Sequence, residues 1–176
     1  MNTRAARLYV SPRTRALTPD EQETRRLAYA LKDSGKTPEI ESARAICARE
    51  MAASITGPCN LIPVPSRTGD TTANRLLCQA IGRQVQGGAY VCDILRRRRP
   101  VDGQCERHKR GQGSISIGEH GIYRQKGKFL RCIGSFFVDN VTTSGNTLEA
   151  CAIAFPGGEG LVFADAWRGR QWNKND

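Results

Sequence analysis

The residues best suited to chemistry lie in one stretch, Ser135-Phe-Phe-Val-Asp-Asn-Val-Thr-Thr-Ser-Gly-Asn-Thr147. An apolar strand ends here in a polar pair, Asp139 and Asn140. Small hydroxyl residues follow, Thr142, Thr143, Ser144 and Thr147, set around Gly145 and Asn146. A helical pattern runs from Thr143 to Ala154, with Leu148, Cys151, Ala152 and Phe155 apolar. A strand-to-helix turn of this composition suits phosphate. Free backbone N–H groups and the dipole at a helix start attract an anion. Glycine lets the backbone approach closely, hydroxyls add donors, and Asp139 is placed to accept from sugar hydroxyls beside the phosphate. An ordinary hydroxyl-rich helix start after a core strand would use the same residue types. No GxxxxGK[ST] and no GxGxxG after a strand occurs, so the P-loop and the dinucleotide fingerprint are both missing.

The elements that must hold this loop are legible around it. Thr18-Pro19-Asp20-Glu21 reads as a capping box with proline at the first helical position. The helix it starts carries Leu27, Ala28, Ala30 and Leu31, with Gly35 available to stop it. A second helix begins at Thr37-Pro38, with Ile40, Ala43, Cys47, Met51 and Ile55 on one face, and ends at Gly57-Pro58. Leu61 to Pro65 is a short buried strand whose prolines argue against a long central one. Asp70 is placed to cap a third helix carrying Ala73, Leu76, Leu77, Ala80 and Ile81. Strands are expected at 89–95, 129–138 and 161–164. Alternating strands and helices imply an α/β fold, a single domain with a mostly parallel central sheet flanked by helices. Residues 1–17 read as a basic N-terminal arm or edge segment, 18–168 as the domain and 169–176 as a polar tail.

Composition narrows the partners. The 176 residues carry a net charge of +10, which favours an anionic partner. Segment 96–128 holds ten Lys or Arg against Asp102, Glu106 and Glu119. It reads as a lid over phosphate, a plain basic surface or a nucleic-acid patch, with a short strand or hairpin arm near Ser114–Ile117. Too few aromatics accompany it for a single-strand binder. His108 and His120 read as loop residues. Seven cysteines are scattered without a CxxC pair, which points to reduced residues in a reducing, cytoplasmic compartment. No run of eighteen apolar residues occurs, and no secretory signal is expected, so no membrane partner is expected.

The full pattern of apolar strand, Asp139, Asn140, Val141, then Thr143-Ser144-Gly145-Asn146-Thr147, resembles the phosphoribosyl pyrophosphate (PRPP) motif of type I phosphoribosyltransferases. Ile62-Pro-Val-Pro65 with Arg67 and Asn74, the Leu31-Lys32…Gly35 stretch, and Arg96–Arg99 with Gln104 and Arg110 resemble the ComF-like branch. The similarity spans roughly residues 25–166. It implies a phosphoribosyl transfer between pyrophosphate and a nitrogenous base or amine, as in nucleotide metabolism. Mg²⁺ would be bound mainly through PRPP, with Asp139 as a possible contact. The resemblance implies Asp139 and Asn140 as catalytic groups and Thr142, Thr143, Ser144, Gly145, Asn146 and Thr147 as the 5-phosphate cup. It places pyrophosphate on Val64, Pro65, Ser66 and Arg67, and names Arg98 and Arg110 as flexible-loop candidates. Family members often show an unusual peptide at the position of Val64–Pro65, and are often dimers. Trp167 is a candidate for stacking on the base. Asn140 stands where many members carry a second acid, no base-recognition hood is identifiable, and no zinc-ribbon cysteine spacing occurs. Asn140 and the missing hood keep open a non-catalytic PRPP or nucleotide-binding regulator, and the ComF resemblance keeps open a nucleic-acid-handling protein of the DNA-uptake kind.

Overall fold

A computed structural model describes residues 1–11, 15–103, 107, 109–113, 115–126 and 134–166. Trp167, Gln104, His108, Ser114, residues 129–133 and the tail at 169–176 lie outside the described residues.

The strands are β1 (Thr3–Leu8), β2 (Cys59–Pro63), β3 (Ala89–Val91), β4 (Leu95–Arg97), β5 (Ile122–Arg124), β6 (Gly134–Thr142) and β7 (Glu159–Asp165). The helices are α1 (Pro19–Ala30), α2 (Pro38–Ala52), α3 (Thr72–Gly82) and α4 (Asn146–Ala154). Five strands form one sheet in the order β1-β7-β6-β2-β3, every neighbouring pair parallel. Strands β4 and β5 form a separate antiparallel pair. This is the expected single-domain α/β architecture, and it is consistent with a phosphoribosyltransferase-like arrangement. No described helix is long and apolar enough to cross a membrane.

Two cores cover the two faces of the sheet. On one, Leu27, Cys47, Met51 and Leu77 from α1, α2 and α3 pack on Leu61, Val138 and Phe163. On the other, Leu148 and Cys151 of α4 join Ile62, Phe137, Val162 and Leu95 of β4. The register of β2 on β6 is pinned by a buried amide. Asn60 Nδ2 donates to Gly134 O and Ser135 Oγ, both at 3.2 Å, and its Oδ1 accepts from Cys92 Sγ at 3.6 Å. A slip of one residue would strand those groups without partners.

Local signals placed the starts of α1, α2 and α3 well, whereas α4 begins at Asn146 rather than Thr143, because β6 runs to Thr142 and the turn takes the next three residues. Thr18 Oγ1 accepts from Glu21 N (3.3 Å) and Glu21 Oε2 accepts from Thr18 N (2.8 Å), completing the capping box. Asp70 Oδ1 accepts from Thr72 N at 3.0 Å and Thr72 Oγ1 at 2.7 Å, capping α3 from outside its first turn. The face Ala43, Cys47, Met51 and Ile55 is buried as its spacing requires, while Ile40 is only half-buried. Helix α1 stops at Ala30, ahead of Gly35.

Several boundaries differ from the sequence reading, each for a tertiary reason. Of the two readings of the N-terminus, an arm or an edge segment, residues 3–8 take the second and add a parallel edge strand to β7. Arg4 and Arg7 fasten it through Glu159 (2.9 Å) and Glu50. Strand β2 is an interior strand despite its prolines, because it is short and Pro63 is its last residue. The apolar run 89–95 is two strands. The chain turns at 92–94, and Leu95 leaves the main sheet to pair with Arg124. The hairpin arm in the basic segment is therefore built from 95–97 and 122–124, with Ile115–Ile117 outside any strand. Strand β6 runs on through Asp139 and Asn140 to Thr142, held by the ladder to Asp165 of β7.

Candidate functional site

The carboxyl ends of β2 and β6 lie side by side, since Pro63 pairs with Val138. Ligands of open α/β sheets gather at this end of the strands. Three chain segments meet there: residues 64–70 after β2, Asp139–Asn146 at the end of β6, and the β4–β5 hairpin.

Asp139 is held between the first two. Its Oδ1 accepts from Asn140 N at 2.8 Å and from Asn74 Nδ2 at 3.1 Å. Asn74, buried on α3, also donates to Val64 O at 2.8 Å. One amide thus ties the loop after β2 to the acid on β6. Among the described residues both hydrogen bonds to the Asp139 carboxyl fall on Oδ1, and none on Oδ2. Burial pushes the Asp139 carboxyl up to about 6, against the opposing pull of those two donors and the charges of Lys32 and Arg97. Asn140 turns its own Oδ1 back to Val141 N at 2.8 Å.

The turn after β6 is shaped by Gly145, whose φ of +81° puts it in the left-handed region at the helix boundary. The N-cap position of α4 is Gly145 itself, which has no side chain to cap the helix. Thr143, Gly145 and Thr147 are half-buried and Ser144 is exposed. Thr142 is buried within the strand, opposite Asp165. Asn146 Nδ2 donates to Ile115 O at 2.7 Å, so its amide braces the hairpin segment. Its backbone N–H donates to Ser144 Oγ at 3.4 Å.

On the β2 side, Val64 and Pro65 are buried while Ser66 and Arg67 are exposed. The peptide between Val64 and Pro65 is trans, contrary to the unusual form expected there. The loop curls on itself: Ser66 N donates to Asp70 O (2.8 Å), Gly69 N to Ser66 O (3.0 Å), and Gly69 has φ +94°.

The basic segment sends one guanidinium inward, and it is neither of the two expected. Arg97 donates from Nε to Ser66 O at 2.9 Å, from Nη1 to His120 O at 2.6 Å, and from Nη2 to Pro65 O at 3.4 Å. Arg98 instead lies over the Tyr123 ring at 5.9 Å. Arg110 is exposed and paired with Asp102 at 3.0 Å. Arg96 pairs with Asp93 (2.6 Å) and Arg107 with Glu119 (3.1 Å). His120 is buried, with Nδ1 3.2 Å from Arg97 Nη1. Burial and the adjacent Arg97 charge push its ring down to about 4, so it is neutral.

Sequence reasoning missed the bridging role of Asn74 and the inward turn of Arg97. Alternation gave the only available signal for the latter: Leu95 is buried, so Arg97 shares its side of β4 while Arg96 and Arg98 face away. Trp167 lies outside the described residues. A cavity of about 420 Å³ lined by Arg49, Ile55, Thr56, Gly57, Gln84 and Gln86 opens at the amino ends of β2 and β3, away from these groups.

Among the described residues no cluster of three or more His, Cys, Asp or Glu is arranged to hold a metal. The donor set suits a hard cation that arrives with its own phosphate ligands and takes at most one carboxylate oxygen from the protein. No family model matches this sequence and no curated protein matches it.

Proposed function

We propose that the chain binds PRPP at the carboxyl ends of β2 and β6 and acts as a phosphoribosyltransferase toward a nitrogenous base or amine. The observation that carries this reading is the position of Asp139: half-buried, pinned through Oδ1, and one short turn before a hydroxyl-rich helix start whose N-cap is Gly145. A ribose whose 5-phosphate sits on the N–H groups after Gly145 would bring its hydroxyls to the Asp139 carboxylate. The exposed Ser66 and Arg67 would take the pyrophosphate end, with Arg67 supplying a planar fork for its oxygens. Mg²⁺, carried in on pyrophosphate and ribose with Asp139 as its one protein oxygen, would neutralise charge on the leaving group. The protein's share is charge placement and orientation, which requires no protein nucleophile. Among the described residues Cys47, Cys78 and Cys151 are buried and burial pushes their thiols upward, so they offer none. A reducing cytoplasmic setting suits these free thiols.

Asn140 supports a second reading, a PRPP-binding regulator without turnover. It places an amide beside Asp139 where a second acid would add charge, and that amide already bonds its own backbone. Nucleic-acid binding finds less support, because Arg96, Arg97 and Arg107 are engaged within the protein. The test is pyrophosphate release from PRPP and Mg²⁺ across a panel of purines, pyrimidines and simple amines. Release with one acceptor, abolished in Asp139→Ala, supports the enzyme. PRPP binding without release from any acceptor selects the regulator, and no PRPP binding removes both.

A further inference from the structure

Arg97 is the one arginine of the basic run that turns toward Asp139, yet its geometry is unlike that of a phosphate-binding arginine. A guanidinium has five N–H donors in a fixed fork. Nε and Nη2 of Arg97 are directed at the carbonyls of Ser66 and Pro65, at 2.9 and 3.4 Å. Nη1 is directed at His120 O and Nδ1, at 2.6 and 3.2 Å. Four donors therefore face protein acceptors. Burial lowers the Arg97 pKa, so the charge is already partly removed from water. The acceptors come from two segments far apart in sequence: the loop after β2, and the turn that precedes β5. A second tie runs the same way, from Val101 N to Arg67 O at 2.9 Å.

The carbonyls it holds matter for the loop's shape. Ser66 O accepts from both Arg97 Nε and Gly69 N, so the same oxygen anchors the curl of residues 66–69. With its carbonyls drawn toward the hairpin, and with Ser66 N and Gly69 N bonded within the loop, the exposed side chains of Ser66, Arg67 and Thr68 are what the loop presents to an anion.

We propose that Arg97 is a positioning residue: its guanidinium clamps the Pro65–Ser66 carbonyls to His120, so that the loop after β2 keeps its anion-receiving shape only while the β4–β5 hairpin is docked. The neutral, buried His120 completes the clamp by accepting from Arg97, which a protonated ring could not do at that nitrogen. The role rests on the PRPP reading only for the identity of the anion. Arg98 and Arg110, facing Tyr123 and Asp102, are bystanders to it.

Two measurements on the full chain test the clamp. The first needs no ligand. Amide hydrogen exchange in Arg97→Met should accelerate about tenfold or more at Ser66, Gly69 and Val101, with the amides of α2 unchanged, matching loss of one or two charged hydrogen bonds. The second is calorimetric binding of PRPP with Mg²⁺ against ribose 5-phosphate. Arg97→Met should weaken PRPP by about tenfold or more while ribose 5-phosphate changes less than about twofold. Arg97→Lys, which keeps charge without the fork, should fail to rescue either readout. Full rescue by lysine would make Arg97 a simple charge and overturn the clamp. Unchanged exchange at Ser66, or equal losses for the two ligands, would overturn it as well. If Arg97→Met does not fold, Arg97→Lys and Arg97→Gln carry the same comparison. A wild-type protein that binds no PRPP would overturn the proposed function, and the exchange data would still decide Arg97.

Discussion

Asp139→Asn should make the unliganded protein more stable at pH 8 while destroying PRPP binding. Burial raises the Asp139 carboxyl from 3.8 to about 6 in the folded protein. The native state thus favours the protonated acid. The stability this contributes is complete below pH 3.8 and is lost as pH rises through 6. The interval corresponds to roughly 3 kcal/mol of cost for the charged form at high pH. Water reaches the half-buried side chain and lowers that figure, so a gain of about 1–3 kcal/mol is expected. Asparagine preserves shape and can still accept from Asn140 N and Asn74 Nδ2. The assay is urea unfolding of both proteins from pH 4 to pH 8.5, plotted as a difference so that all other titrations cancel. The difference should be near zero at pH 4, rise through pH 6 and level off above pH 7. Destabilisation by asparagine at pH 8, or a difference independent of pH, would refute the reasoning. A stabilising substitution at a binding residue is the familiar sign of a strained functional group.

Other substitutions test the surrounding frame. Gly158→Ala would place a methyl 2.5 Å from the Phe137 ring, which is fully buried and packed edge-on to Phe155 at 6.1 Å. Overpacking of this kind costs about 1–3 kcal/mol, seen as a fall of several degrees in the melting temperature. Asn74→Ala removes the donor shared by Val64 O and Asp139 Oδ1 and should cost about 1–3 kcal/mol in urea unfolding. It should also move the Asp139 titration further up, which carboxyl NMR would follow. Thiol labelling of the native protein should reach at most Cys105 and Cys132. The other five cysteines are buried, and burial pushes Cys47 up to about 12. Labelling of more than two of the seven before unfolding would contradict the packing.

What the sequence made legible was local. Thr18-Pro19-Asp20-Glu21 and Asp70-Thr71-Thr72 start helices because their caps are satisfied within three residues. The alternation of strands and helices was enough for a parallel sheet. What stayed hidden depended on partners distant in the chain. Residues 3–8 read equally as a basic arm or an edge segment, and only Glu50 and Glu159 beside Arg4 and Arg7 decide for the edge. Strand β6 extends past its apolar run because β7 supplies a ladder as far as Asp165. Within the site, the Asp139-to-Thr147 order could be read directly, since strand, turn and helix are contiguous. The contact of Asn74 with Asp139, 65 residues away, could not. Nor could composition show which arginine of 96–99 turns inward, because that follows from Leu95 anchoring the hairpin on the core.

The most direct test of the central claim is thermal unfolding with PRPP and Mg²⁺, compared with ribose 5-phosphate and Mg²⁺ alone. At a hundredfold excess over the dissociation constant, ligand linkage gives about 2.7 kcal/mol, or roughly 5–10 °C for a domain of this size. The account predicts that rise with PRPP, its loss in Asp139→Ala and its reduction in Thr143→Ala. No shift at millimolar PRPP, or one that survives both substitutions, would contradict it.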